Sequence, residues 1–151
     1  MLTNQFVLVA EDSADEIFIY ERTFAEVDFA KHIIVRDGQE VIEYLCGKGE
    51  YSDRRRFPFP DWLLMDIKMP RRDGYETLEW LRNNPECQIM PTVVFSSTQE
   101  PSEIKHAYQL GANAFFSKPY KMQDMVKILK AIREFWSCAK IPAVPRDQKC
   151  P

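Results

Sequence analysis

No run in the chain approaches the roughly 18 uninterrupted apolar residues that a membrane-spanning helix requires, which argues against a bilayer segment. The opening residues, Met1-Leu2-Thr3-Asn4-Gln5, lack the basic-then-apolar layout of a signal peptide, so a cytoplasmic protein is expected. Cysteine is sparse. Cys46, Cys87, Cys138 and Cys150 show no C-x-x-C spacing, which fits free thiols in a reducing compartment better than zinc or disulfides. His32 and His106 are the only histidines and stand far apart, which disfavours an imidazole metal site or a hydrolase triad. An excess of one charge is also missing. With 20 Lys and Arg against 23 Asp and Glu, and the signs interspersed, a nonspecific nucleic-acid binder is disfavoured. The one basic cluster, Arg54-Arg55-Arg56, is expected in a solvated loop.

What is present describes one globular domain: 151 residues, 45% of them hydrophobic. A chain of about this length buries roughly 68 to 70% of its unfolded surface, enough for a single core without staples. Along it, short apolar runs alternate with stretches whose apolar residues recur at helical spacing. Phe6 to Ala10 predicts a strand, followed by a helix carrying Ile17, Tyr20, Phe24 and Val27, with Asp12 or Ser13 suited to cap it. His32 to Val35 predicts a second strand, and Val41, Ile42 and Leu45 a short helix closed by Gly47. From 47 to 60 the periodicity lapses, and an elongated surface loop with exposed aromatics is expected. Trp62 to Met65, Thr92 to Phe95 and Ala114 to Phe116 predict three more strands. Their helices carry Leu78, Trp80 and Leu81, then Ile104, Ala107, Tyr108 and Leu110, and last Met122, Met125, Val126, Leu129, Ile132 and Phe135 on one face. Trp80 and Trp136 are expected in the core or an interface. Five such units demand a parallel sheet with right-handed crossovers and helices on both faces. Residues 1–140 form the expected domain, and 141–151, with three prolines and no periodicity, a frayed, flexible tail.

In an open parallel sheet the residues just past the carboxyl ends of the strands converge, and ligands bind there. Glu11 and Asp12 follow the first strand, Asp66 the third, Ser96 the fourth and Lys118 the fifth. Clustered carboxylates repel one another and persist when a cation or a lysine offsets them. Oxygen-only ligands point to Mg²⁺, which readily bridges to phosphate. Asp66 is then placed to attack phosphorus, with Mg²⁺ and Lys118 neutralising the equatorial oxygens and Ser96 donating a hydrogen bond.

Val7-Leu8-Val9-Ala10-Glu11-Asp12, the stretch Leu64 to Gly74, Ser96-Ser97 and Lys118-Pro119 occur in fixed order at the ends of the correct strands. In these segments the chain, from roughly Gln5 to Ser137, resembles a response-regulator receiver domain. The long loop before the third strand, the Arg-rich Asp-Gly turn and the lack of an output domain are similar to single-domain regulators paired with bacterial phytochromes. The resemblance implies a doubly wound, flavodoxin-like α/β fold, five parallel strands in the order 2-1-3-4-5. It implies that Asp66 takes phosphate from a histidine on a sensor kinase, the protein catalysing only its own phosphorylation and dephosphorylation. Asp12, Asp66 and the backbone carbonyl of Lys68 would ligate Mg²⁺, with Glu11 acting through water. Lys118 would contact the phosphoryl oxygens. Ser96 would move toward the phosphate and let Phe115 turn from exposed to buried. Lys68 and Thr98 would tune hydrolysis of the phosphoryl group, with Ser97 leaving room for donor and water. The Lys118-Pro119 bond is expected to be cis, aiming the lysine into the site.

Two rival functions compete with this one. An aspartyl-phosphate phosphohydrolase of the haloacid-dehalogenase kind carries a second Asp two residues after the nucleophile, where this chain has Lys68. A degenerate receiver that never takes phosphate is disfavoured by the retained acidic, hydroxyl and lysine set. The signal is expected to leave through the fourth helix, fifth strand and fifth helix toward a downstream protein target. Phe135 and Trp136 are expected to support a homodimer there.

Overall fold

The computed structural model describes residues 5–151. Five strands alternate with five helices: β1 Phe6–Ala10, α1 Ala14–Val27, β2 Lys31–Val35, α2 Gly38–Cys46, β3 Trp62–Met65, α3 Gly74–Asn83, β4 Thr92–Ser96, α4 Pro101–Gln109, β5 Ala114–Ser117 and α5 Met122–Cys138. All pairings are parallel, in the order β2-β1-β3-β4-β5. That is the expected sheet.

Successive side chains of a strand point to opposite faces, and this period of two divides the core. Leu8, Leu63, Met65 and Val94 pack beneath Val41 and Leu45 of α2, Leu78 and Leu81 of α3 and Ala107 of α4. Val7, Val9, Leu64, Val93 and Phe95 pack against Tyr20 and Phe24 of α1 and Met125 and Leu129 of α5. The three central strands are therefore buried on both faces, which is why they read as continuous apolar runs.

Three of the five helices start with a side-chain cap, of which the sequence offered only the first. Ser13 caps α1, Asp37 caps α2, and Asp73 forms a reciprocal capping box with Glu76 on α3. Gly47 ends α2 in the left-handed conformation at φ 65°. Gly74 serves closeness rather than dihedral freedom. A Cβ there would lie 2.6 Å from the backbone oxygen of Asp66, so glycine lets α3 begin against the strand end that carries the site.

Four expectations fail here. Arg54, Tyr51 and Phe59, assigned to a solvated loop, are buried. The Arg54 guanidinium donates to the carbonyls of Leu45 at 2.9 Å, Phe57 at 3.1 Å and Gln148 at 3.1 Å, while the Tyr51 and Phe57 rings meet edge-on. The planar fork of five donors finds acceptors in the carbonyls at the end of α2 and in the loop itself. The tail also departs from the frayed segment expected. Phe59 N–H donates to Arg146 O at 2.8 Å, Cys150 N–H to Leu45 O at 2.8 Å, and Arg146 pairs with Asp61 at 2.8 Å. Its prolines fix an extended path rather than preventing one.

Docking of the tail brings Cys150 beside Cys87, and the two form a disulfide with Cα atoms 6.5 Å apart, overturning their assignment as free thiols. A separation of 63 residues carries no spacing signal for that bond. Cys46 and Cys138 are free. Finally, α5 turns a narrower stripe inward than the apolar pattern implies: Met125, Leu129, Ile132 and Trp136 are buried, while Met122 and Phe135 are 40% and 63% exposed. At 3.6 residues per turn those two fall off the stripe.

Candidate functional site

The backbone sets the site before any side chain does. Past the last ladder pair of each strand, Glu11 N–H donates to Val35 O at 3.0 Å, Asp66 N–H to Ala10 O at 3.1 Å and Lys118 N–H to Ser96 O at 2.8 Å. These bonds carry the sheet pairing one residue further and hold the functional residues in register at its carboxyl edge. Glu11, Asp12 and Asp66 thereby come together, with one carboxylate oxygen from each within 4.8 Å of the others, the single such acidic group of three among the described residues. Glu11 is fully buried and Asp66 is 7% exposed. Asp12 sits at the partly exposed rim, where its backbone carbonyl accepts from Arg36 at 3.1 Å.

Lys118 reaches into this cluster from the end of β5. Its ammonium donates to Glu11 Oε1 at 2.7 Å, to Asp66 Oδ2 at 3.1 Å, and to Glu16 Oε2 in a short contact. The other Asp66 oxygen, Oδ1, accepts from the Ile67 N–H at 2.7 Å. Burial alone would lower the pKa of Lys118, yet the carboxylates of Asp66, Glu11 and Glu16 outweigh it and the pKa is raised. Burial raises the pKa of Asp66 in spite of Lys118 and the Ile67 N–H. Glu11 is pushed up to about 8, first by burial and then by its hydrogen bond with Glu16, with Lys118 opposing. Burial would raise Glu16 too, but its hydrogen bonds with Glu11 and Lys118 prevail and its pKa is lowered. One lysine thus faces more carboxylate than it can neutralise, a donor set of hard oxygens suited to a divalent cation.

Ser96 is buried at the end of β4, and its Oγ accepts from the Thr98 N–H at 3.4 Å. Ser117 Oγ donates to Thr98 O at 3.2 Å, tying the loop after β4 to the end of β5. Ser97 is exposed, as is Lys68, which lines an open cleft of about 530 Å³ together with Asp12, Met69, Asp73 and Tyr75. Phe115 is half-buried against the α4 side of the core, and its N–H donates to Tyr108 Oη at 3.1 Å. The Lys118-Pro119 bond is trans, as no peptide bond among the described residues is cis, so the cis expectation is withdrawn. The lysine needs no such turn, because the backbone bond to Ser96 already directs it inward.

The sequence reading missed Glu16. It lies one helical turn into α1, where an acidic residue looks like a partner for the helix dipole, and only the fold puts Lys118 next to it.

The comparisons with known proteins agree with this geometry. The chain is 30% identical over 131 residues to Response regulator Rcp1 of Synechocystis, covering 86% of this chain and 87% of that one. Among solved structures, response regulator RPA3017 in red light signaling of R. palustris is similar at a TM-score of 0.88 and 30% identity, over 93% of this chain and 99% of the other. The phosphorylated cyanobacterial phytochrome response regulator RcpA is similar at 0.83 and 30%, over 92% and 99%. Residues 7–130 match the model of the response regulator receiver domain, so the chain belongs to that family.

Proposed function

We propose that this chain is a single-domain response regulator whose Asp66 takes a phosphoryl group from the phosphohistidine of a separate sensor kinase. An oxygen of Asp66 would bond to phosphorus as the phosphorus–nitrogen bond breaks, leaving an acyl phosphate on Asp66 and a neutral imidazole once the leaving nitrogen regains a proton. The observation that carries the reading is the Lys118 ammonium 3.1 Å from Asp66 Oδ2 inside a cluster of three carboxylates.

The donor set fits Mg²⁺, held by Asp12, Asp66 and the Lys68 backbone carbonyl, with Glu11 acting through water; bound there, the ion would offset charge on the transferred group. A neighbouring structure is titled as the Mn²⁺-bound form of Rcp1, which favours a divalent ion at this position. Lys118 would hold the phosphoryl oxygens, and Ser96 would swing toward them. Phe115 would follow into the space vacated, changing the surface made by α4, β5 and α5 that a target or a second copy would read. Thr98 and Lys68 would flank the path of the attacking water and set how fast it removes the phosphate. The red-light and phytochrome regulators among the relatives support a photoreceptor kinase as the donor. The exposed Lys68, two residues after Asp66, supplies no acid for a phosphohydrolase.

Incubation with Mg²⁺ and acetyl phosphate, read by intact mass, tests the reading. A base-labile phosphoryl adduct that Asp66→Asn abolishes supports it. Continuous turnover of acetyl phosphate would indicate a phosphatase, and no adduct in the parent chain a degenerate receiver.

A further inference from the structure

An ammonium group has three hydrogens, and at Lys118 three carboxylates take them. The acceptors differ in what else claims them. Glu11 and Asp66 belong to the cluster in which three acidic oxygens converge, so a cation bound there competes with the ammonium for their lone pairs. Asp66 is also the proposed phosphoryl acceptor. Glu16 stands outside the three converging oxygens, and its carboxylate shares a hydrogen bond with Glu11 in addition to holding Lys118.

A comparison within the chain shows why Glu16 does not close on its own cap. In α3 the third helical residue, Glu76, reaches back to the N–H of its cap, Asp73, at 3.2 Å. Glu16 is the third residue of α1, but the N–H of its cap, Ser13, is taken by Glu11 Oε2 at 3.2 Å. The Glu16 carboxylate therefore turns to Lys118, whose side chain is only 8% exposed.

We infer that Glu16 is a positioning residue: it anchors the Lys118 ammonium from α1, so that when a cation draws on Glu11 and Asp66 one hydrogen stays aimed at the oxygens where the phosphoryl group forms. This rests on the reading of Asp66 as phosphoryl acceptor. Lysine is a flexible four-carbon stem with a mobile head, and an anchor outside the metal cluster holds that head in reach of its target.

Initial rates of phosphorylation by acetyl phosphate at saturating Mg²⁺ test the inference in the full chain, with Glu16→Gln, Glu16→Asp, Lys118→Ala and the double variant Glu16→Gln/Lys118→Ala. Glu16→Gln is expected to slow the reaction about tenfold, the loss of one charge-assisted hydrogen bond. Glu16→Asp, which keeps the charge on a shorter stem, recovers part of the rate. On the Lys118→Ala background Glu16→Gln has no further effect, which a purely structural role would not produce. Glu16→Gln at or above the parent rate overturns the inference, as does the same fold loss with and without Lys118. Glu16 is partly exposed and Gln nearly isosteric, so a melting temperature near the parent's is expected of this variant. Failure of the parent chain to take any phosphate sinks the Asp66 reading itself, and the inference with it.

Discussion

The two ends of the sheet both bury a basic side chain, and they do it in opposite ways. At the amino-terminal end Arg54 meets neutral carbonyls whose geometry suits its fork, beneath a tail fastened by backbone bonds and the Cys87–Cys150 disulfide. At the carboxyl end Lys118 meets three carboxylates, with a fourth, Asp12, close by. The first charge is matched by dipoles and the second is outnumbered. A matched buried cation contributes to stability, whereas a surplus of buried anions is a standing demand for positive charge that folding leaves unmet. The same architecture thus closes one end and leaves the other reactive.

Removing each charge should separate the two ends. Arg54→Met strands the carbonyl of Phe57, takes from that of Leu45 one of its two donors, and is expected to cost about 2 to 4 kcal/mol in urea unfolding, with phosphorylation by acetyl phosphate unchanged once the chain is folded. Equal losses of stability and phosphorylation would show that the ends are coupled. At the site the sign reverses: without metal, Asp66→Asn is expected to melt at a higher temperature than the parent, since it removes one of the competing anions.

Acidity sharpens the contrast next. Folded Glu11 titrates near 8 rather than at its ordinary 4.5, so between those values the folded chain holds a proton that the unfolded chain has lost. Stability in a chelator should therefore fall as pH rises from about 4.5 to about 8, with Glu11 contributing at most about 1.4 kcal/mol per pH unit and the raised pKa of Asp66 adding a contribution of the same sign. The lowered pKa of Glu16 gives a contribution present above its ordinary 4.5 and lost only in acid. The raised pKa of Lys118 gives one fully present below its ordinary 10.5, so neither changes within that window. Melting temperatures at several pH values check the slope, Glu11→Gln should reduce it, and Mg²⁺ should restore more stability at pH 8 than at pH 5. The smallest expected effect is at the rim. Lys68→Ala should alter the decay rate of the phosphorylated chain severalfold and its yield less, read by loss of the adduct over time. Equal decay in the two proteins would remove Lys68 from the path of water.

The convergence of Glu11, Asp12, Asp66 and Lys118 was legible because each stands within two residues of the end of an apolar run. Strand ends can be counted along the chain, and the topology rule for parallel sheets brings them together. Glu16 was not legible, because a first-turn acid has a sufficient local explanation in the helix dipole. Arg54 was misassigned for a similar reason. A run of three arginines looks solvated, and only the carbonyls of α2, the loop and the tail, distant in sequence, make burial of one of them favourable. The tail's prolines signalled the absence of helix, which is a different matter from the absence of packing.

Periodicity and order of elements, written into nearest-neighbour pattern, were enough to set the sheet, its helices and the edge where the acidic side chains gather. Which acid holds the lysine, which arginine is buried and which cysteines join were decided by the folded chain alone. Those outcomes depend on partners many residues away, and no local pattern records a contact whose other half is supplied only when the backbone closes on itself.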